Sequence, residues 1–104
     1  MNHYYVLMVP TTIYNLPAPA DLVMAVRVEI KKAFAEAFGG YTEYAALGGY
    51  KAESGELIEE PVYAIEASYA EPDDELVWRL AERIKAALSP ESVLIRKDHE
   101  VHFV

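Results

Sequence analysis

The sequence predicts a single α+β sandwich with two helices on one face of a four-stranded antiparallel sheet, and three observations predict it. Short β-prone runs stand near both ends and in the middle of the chain. Two longer segments repeat apolar residues every three or four positions. The elements follow one another as β-α-β-β-α-β over 104 residues, a length that supports one core, with no linker or internal repeat to divide it. Residues 1-104 therefore form one domain.

Tyr4 to Val9 is an unbroken apolar run rich in Tyr and Val and closed by Pro10, the pattern of a strand buried on most of its surface. Thr11 to Pro19 holds two prolines and an asparagine and reads as a connecting loop. From Pro19 the period changes. Leu22, Val23, Val26, Ile30, Ala33, Phe34, Ala37 and Phe38 recur at helical spacing, while Arg27, Glu29, Lys31, Lys32 and Glu36 fall elsewhere on the wheel. Pro19 suits the first helical position, and Gly39 suits the left-handed residue just past the end.

Residues 41 to 51 and 57 to 69 are β-prone runs flanking Glu53-Ser54-Gly55-Glu56, so they form a hairpin. Pro72 opens the second helix. Asp73, Asp74 and Glu75 sit in its first turn and Arg79, Arg83 and Lys85 further along, an order that complements the helix dipole. Its apolar stripe is Leu76, Val77, Leu80, Ala81, Ile84, Ala87 and Leu88, and Ser89-Pro90 ends it. Val93 to Ile95 begins the last strand, which Val101 to Val104 extends or supplements. This succession is that of the ferredoxin-like split βαβ sandwich, with strands in spatial order 4-1-3-2. The fold carries no function with it, because it hosts unrelated activities.

Side-chain alternation divides the hairpin into two faces. With Ser54 and Gly55 as the two turn residues, Tyr44 lies opposite Ile65 and Ala46 opposite Tyr63. Thr42, Tyr44, Ala46, Gly48 and Tyr50 then share an uncharged face with Tyr63 and Ile65, which we assign to the helix-packed core. The other face pairs Ala45 with Ala64, Leu47 with Val62 and Glu43 with Glu66, and Arg96 has the parity to reach it. That face is the expected self-association surface, with two glutamates that repel unless a cation lies between them.

Nine Lys and Arg against 17 Asp and Glu give a net charge of −8, which argues against nucleic acid or an anionic membrane as the main partner. No segment approaches the roughly 20 apolar residues of a membrane span, and the N-terminus lacks the basic region of a signal peptide. The expected location is cytoplasmic. With no cysteine there is neither a disulfide framework nor a thiolate nucleophile. Nine of the acids fall between Glu53 and Glu75 with no basic residue among them, so a polar macromolecular partner would be basic.

Candidate chemistry is sparse. His3 stands alone, and His99 and His102 are three apart, which on a strand points them to opposite faces, so no metal site is expected. The acids lack the regular oxygen-ligand spacing of a calcium loop. Gly48-Gly49 interrupts a strand, which predicts a β-bulge or a place where bare backbone admits a ligand near Thr42, Tyr44, Tyr50 and Glu60. Neither glycine pair opens a helix as a dinucleotide or phosphate loop requires. No cofactor is implied.

At Phe38-Gly39-Gly40-Tyr41-Thr42, Gly48-Gly49-Tyr50, Gly55 and Glu59-Glu60-Pro61-Val62, the chain resembles a family of small uncharacterised bacterial and phage or plasmid proteins. The resemblance covers residues 34 to 98, brings no activity with it, and singles out Gly40, Thr42 and Glu60. In element order the chain is also similar to the nitrogen-regulatory PII-like proteins, trimers that bind nucleotides and small effectors between subunits. It departs from them in its short hairpin loop and in having no basic cluster on the hairpin. The expectation from all this is a homodimer or higher homo-oligomer that binds a protein or small molecule through its open sheet face and hairpin. The alternative is a small enzyme using Thr42 and Glu60, with Tyr44 or His99, for acid–base chemistry at a subunit interface.

Overall fold

The computed structural model describes residues 3 to 14, 16 to 90 and 92 to 104. Its elements in chain order are β1 (Tyr4–Pro10), β2 (Thr12–Ile13), β3 (Leu16–Pro17), α1 (Ala20–Phe38), β4 (Thr42–Lys51), β5 (Leu57–Ser68), α2 (Asp74–Leu88), β6 (Leu94–Lys97) and β7 (Glu100–Phe103). The main sheet has five strands in the order β4-β5-β1-β6-β7, and every neighbouring pair is antiparallel. It differs from the expected four-stranded order by the added edge strand: Asp98 takes φ 56° and turns the chain back, so residues 100 to 103 form β7 rather than prolonging β6. The loop after β1 also holds more than expected, a second small sheet of β2 and β3.

Each helix forms for the reasons its sequence offers. Gly39 ends α1 at φ 90°, its N–H donating to the carbonyl of Ala35 at 3.0 Å, a conformation that costs glycine little. The start of α2 lies later than Pro72 suggests. Asp73 is the cap, and its side chain accepts from the Leu76 N–H at 3.1 Å.

Both helices cover the same face of the sheet. Val23, Val26, Ile30 and Phe34 of α1 and Val77, Leu80, Ala81, Ile84 and Leu88 of α2 join Tyr5, Leu7, Val9, Ile65, Ala67 and Ile95 in one buried cluster. Burying each of the larger aliphatic side chains contributes about 1.5–3 kcal/mol, so this layer is what holds the sheet rigid.

The hairpin register differs by one residue from expectation, and the turn is the cause. Three residues, Glu53, Ser54 and Gly55, connect the strands: the Ala52 N–H donates to the Glu56 carbonyl at 2.8 Å, and Gly55 takes φ 89°. That is a turn closed by a left-handed residue rather than a two-residue loop. Glu43 therefore lies opposite Ile65, Tyr44 opposite Ala64 and Thr42 opposite Glu66. A one-residue slip exchanges faces. Tyr63 and Ile65 do face the helices, but their partners there are Ala45 and Glu43. Thr42, Tyr44, Ala46, Gly48 and Tyr50 occupy the open face, where Tyr44 and Tyr50 are exposed. Pairing runs unbroken through Gly48 and Gly49, opposite Glu60 and Glu59, so there is no bulge.

Leu47 also changes sides. It shares the helix side with Leu57 at the far end of the hairpin, and both are about 70% exposed, because the strands run on past the helical layer.

Candidate functional site

The register brings a carboxylate, a hydroxyl and three aromatic rings together at one end of the open face. Glu60 projects from β5 opposite Gly48, which supplies no side chain across the strand pair to cover it. The ribbon β2–β3 folds beside it. Thr12 donates its hydroxyl to Glu60 Oε2, Thr11 donates to the Pro61 carbonyl at 2.5 Å, and the Ala18 N–H closes the ribbon on the Thr11 carbonyl at 2.9 Å. Between this ribbon, the hairpin and the segment after α2 lies a cleft of about 560 Å³, whose lining includes Thr12, Tyr14, Tyr50, Glu60, Ser92 and Phe103. A carboxylate that shares a cleft with aromatic residues makes a surrounding suited to an organic cation.

The other predicted residues lie elsewhere. Thr42 sits opposite Glu66, six positions along β5 from Glu60, or roughly 20 Å at the usual strand rise. It lines a separate hollow of about 300 Å³ with Phe38, Gly39, Gly40, Tyr41 and Glu66. His99 is exposed in the turn between β6 and β7, beside the Tyr5 end of β1, whereas Glu60 lies beyond the Pro10 end. The set Thr42, Glu60 and His99 is therefore not assembled within one chain. His102 lies opposite Ile95 and packs edge-on against Trp78 with ring centroids 5.1 Å apart, away from His99.

Glu43 does not face Glu66. Its carboxylate accepts from Arg27 Nε and Nη2 of α1, both at 2.9 Å, and from Lys31 Nζ at 3.2 Å. The Arg27 fork, which also lies 3.7 Å from the centroid of the Tyr63 ring, holds the Glu43 carboxyl below the usual carboxylate range. This is a structural clamp between helix and hairpin. Arg96 does reach the open face, opposite Val6, with its guanidinium 5.1 Å from the Tyr4 ring; its Nε is buried without a hydrogen-bond partner.

Sequence reasoning missed a second polar network, at the start of α2. The Tyr5 hydroxyl donates to Asp74 and accepts from the Asp73 N–H at 3.0 Å, and Lys97 pairs with Asp74 at 3.0 Å. Beside it Asp98 accepts from the Tyr69 hydroxyl at 2.8 Å and the Tyr4 N–H at 2.9 Å. Burial pushes the Tyr69 hydroxyl up to about 12 and that of Tyr5 higher still, while the tyrosine hydroxyls hold Asp74 and Asp98 low. Both tyrosines stay protonated as donors, which makes the network a brace rather than a proton-transfer site. The alternation of β1 was the available signal, since it sends Tyr5 inward where its hydroxyl must find a partner.

Among the described residues no group of three or more His, Asp and Glu is placed to hold a metal ion, and no helix is long and apolar enough to cross a membrane.

No family model matches the chain, and no curated protein is similar enough in sequence to stand as a relative. Solved structures do match. A phage SAM lyase in complex with S-methyl-5'-thioadenosine superposes with a TM-score of 0.68 at 18% identity, over 99% of this chain and 89% of its own. The chain is similar in fold to that lyase. The lyase in its apo state matches at 0.67 and 17% identity, over 100% of this chain and 90% of the other. The periplasmic divalent cation tolerance protein CutA from Archaeoglobus fulgidus matches at 0.55 and 9% identity, over 91% of this chain and 79% of its own. At these identities the likeness is one of architecture. It extends over nearly the full chain and is a likeness of fold alone.

Proposed function

We propose that this chain binds a small organic cation in the Glu60 cleft, and that the ligand is an adenosyl sulfonium compound such as S-adenosylmethionine. The observation that carries the reading is that Glu60 lines one cleft with the aromatic residues Tyr14, Tyr50 and Phe103, and that the cleft is large enough for a nucleoside. A sulfonium is a soft cation with little hydration that a nearby carboxylate attracts, and the planar base of the same ligand offers aromatic side chains a face to meet. The likeness to a phage SAM lyase supports the ligand class, and it makes cleavage the enzymatic version of the same reading. The experiment is titration calorimetry with S-adenosylmethionine, followed by chromatography of the mixture over time. Binding with release of S-methyl-5'-thioadenosine makes the chain an enzyme; binding without release makes it a binding module. Absence of heat at millimolar ligand would defeat both.

A second reading, favoured by the exposed apolar residues of β7, is that the open face also joins copies of the chain. Val101 and Phe103 stand exposed there on the edge strand, an apolar pair that a second copy would cover. Light scattering at micromolar concentration should give a mass above that of one chain, and Phe103→Glu should reduce it to a monomer.

A further inference from the structure

We infer that Tyr14 is a binding residue of the Glu60 cleft that presents its ring to the planar base of the ligand, an inference that rests on the nucleoside reading above. The starting point is a mismatch between residue and position. β2 and β3 pair Thr12 with Pro17 and Ile13 with Leu16, so only two residues connect them, the first being Tyr14. A two-residue connection of this kind draws its first residue into positive φ, and Tyr14 takes φ 51°. Asparagine or glycine adopts that conformation readily, whereas a bulky aromatic side chain does so at a cost.

Folding does not recover that cost. The Tyr14 residue is 82% exposed, more than any other large hydrophobic residue described, so its ring contributes almost nothing to the core. It nevertheless lines the cleft that holds Glu60. Its mounting is firm: two positions before it Thr12 is bonded to the Glu60 carboxylate, and Thr11 and Ala18 tie the base of the ribbon to β5 and to itself. The ring is thus carried on a support anchored to the same carboxylate that would meet the cation. A tyrosine has only two side-chain torsions to immobilise, so a ring presented this way gives a flat contact at small entropic cost. Adenine has a flat π face to meet it, and stacking of a base on an aromatic side chain tolerates the differences between ligands that share the base.

Two charge-bearing and base-bearing contacts separate in a titration. S-adenosylmethionine and S-methyl-5'-thioadenosine share adenosine, but only the first carries the sulfonium. Tyr14→Asn keeps a residue that accepts positive φ and removes the ring; it should melt no lower than the wild type and should weaken both compounds by the same factor, about tenfold. Tyr14→Phe keeps the ring and should bind both within about twofold of the wild type. A wild type that binds and a folded Tyr14→Asn that binds equally well would overturn the role of Tyr14 alone. A wild type that binds neither compound overturns this inference together with the reading beneath it.

Discussion

Glu43 and Glu60 sit in the two strands of one hairpin, on opposite faces of the sheet, and the contrast between them separates stability from function in this molecule. Glu43 turns toward α1 and meets three cationic donors within 3.2 Å, its side chain only 18% exposed. Glu60 turns the other way, toward a cleft, where it accepts from a threonine hydroxyl and shares the lining with aromatic residues. A carboxylate whose lone pairs are spent on an arginine fork has little left for a ligand. One that lines an open cleft beside aromatic residues has acceptor positions left for whatever enters.

Breaking the Glu43 clamp should have the largest effect. Glu43→Ala leaves Arg27 and Lys31 half-buried and unpaired, with side chains 16% and 19% exposed, and should cost about 2 kcal/mol. For a chain of this size that lowers the melting temperature by roughly 10 °C, and binding in the cleft should survive at temperatures where the variant is folded.

Acid should act on the same clamp by titration. Glu43, Asp74 and Asp98 all have carboxyls held below their usual range in the folded state, so their contribution is complete above the unfolded values near 4 and is lost as pH falls through the folded ones. Denaturant midpoints should therefore hold steady above about pH 5 and decline steadily below about pH 4. On the alkaline side the sign is reversed in origin: Tyr69 keeps its proton in the fold up to about 12, so stability falls as pH climbs from about 10, where unfolded tyrosine ionises, toward that value.

The smallest thermal effect belongs to Glu60→Gln. The amide still accepts the Thr12 hydroxyl, and because no cation among the described residues pairs with the carboxylate, the change in stability should stay within the roughly 0.5 kcal/mol usual for surface changes.

How much of this was legible in the sequence follows from which signals were local. Periodicity located α1 and α2 and the long strands, because those patterns persist over many residues. The hairpin register was not legible from Ser54-Gly55, since a three-residue turn with Gly55 at φ 89° and a two-residue turn differ by one position that composition does not display. That single residue moved Tyr44 and Tyr50 from the expected core to the open face and Glu43 from the open face to α1. A signal was present: Arg27 and Lys31, one helical turn apart on α1, needed an acid across from them. Glu60, Tyr50 and the bare backbone at Gly48 were singled out as candidates, while Thr12 and Tyr14 were passed over because β2 and β3 are two residues each in a proline-containing stretch. Arg96 was placed on the open face by alternation alone, which needs only the inward side chain of Ile95. Thr42 and His99 were grouped with Glu60 because sequence alone does not show at which end of a sheet a residue lies.

Calorimetry on Glu60→Gln tests whether the Glu60 charge recognises a cationic ligand. S-adenosylmethionine should lose about tenfold in affinity, equivalent to about 1.4 kcal/mol, while S-methyl-5'-thioadenosine, which lacks the sulfonium, should change by less than about twofold. Equal losses for the two compounds, or no loss for S-adenosylmethionine in a folded Glu60→Gln, would contradict it.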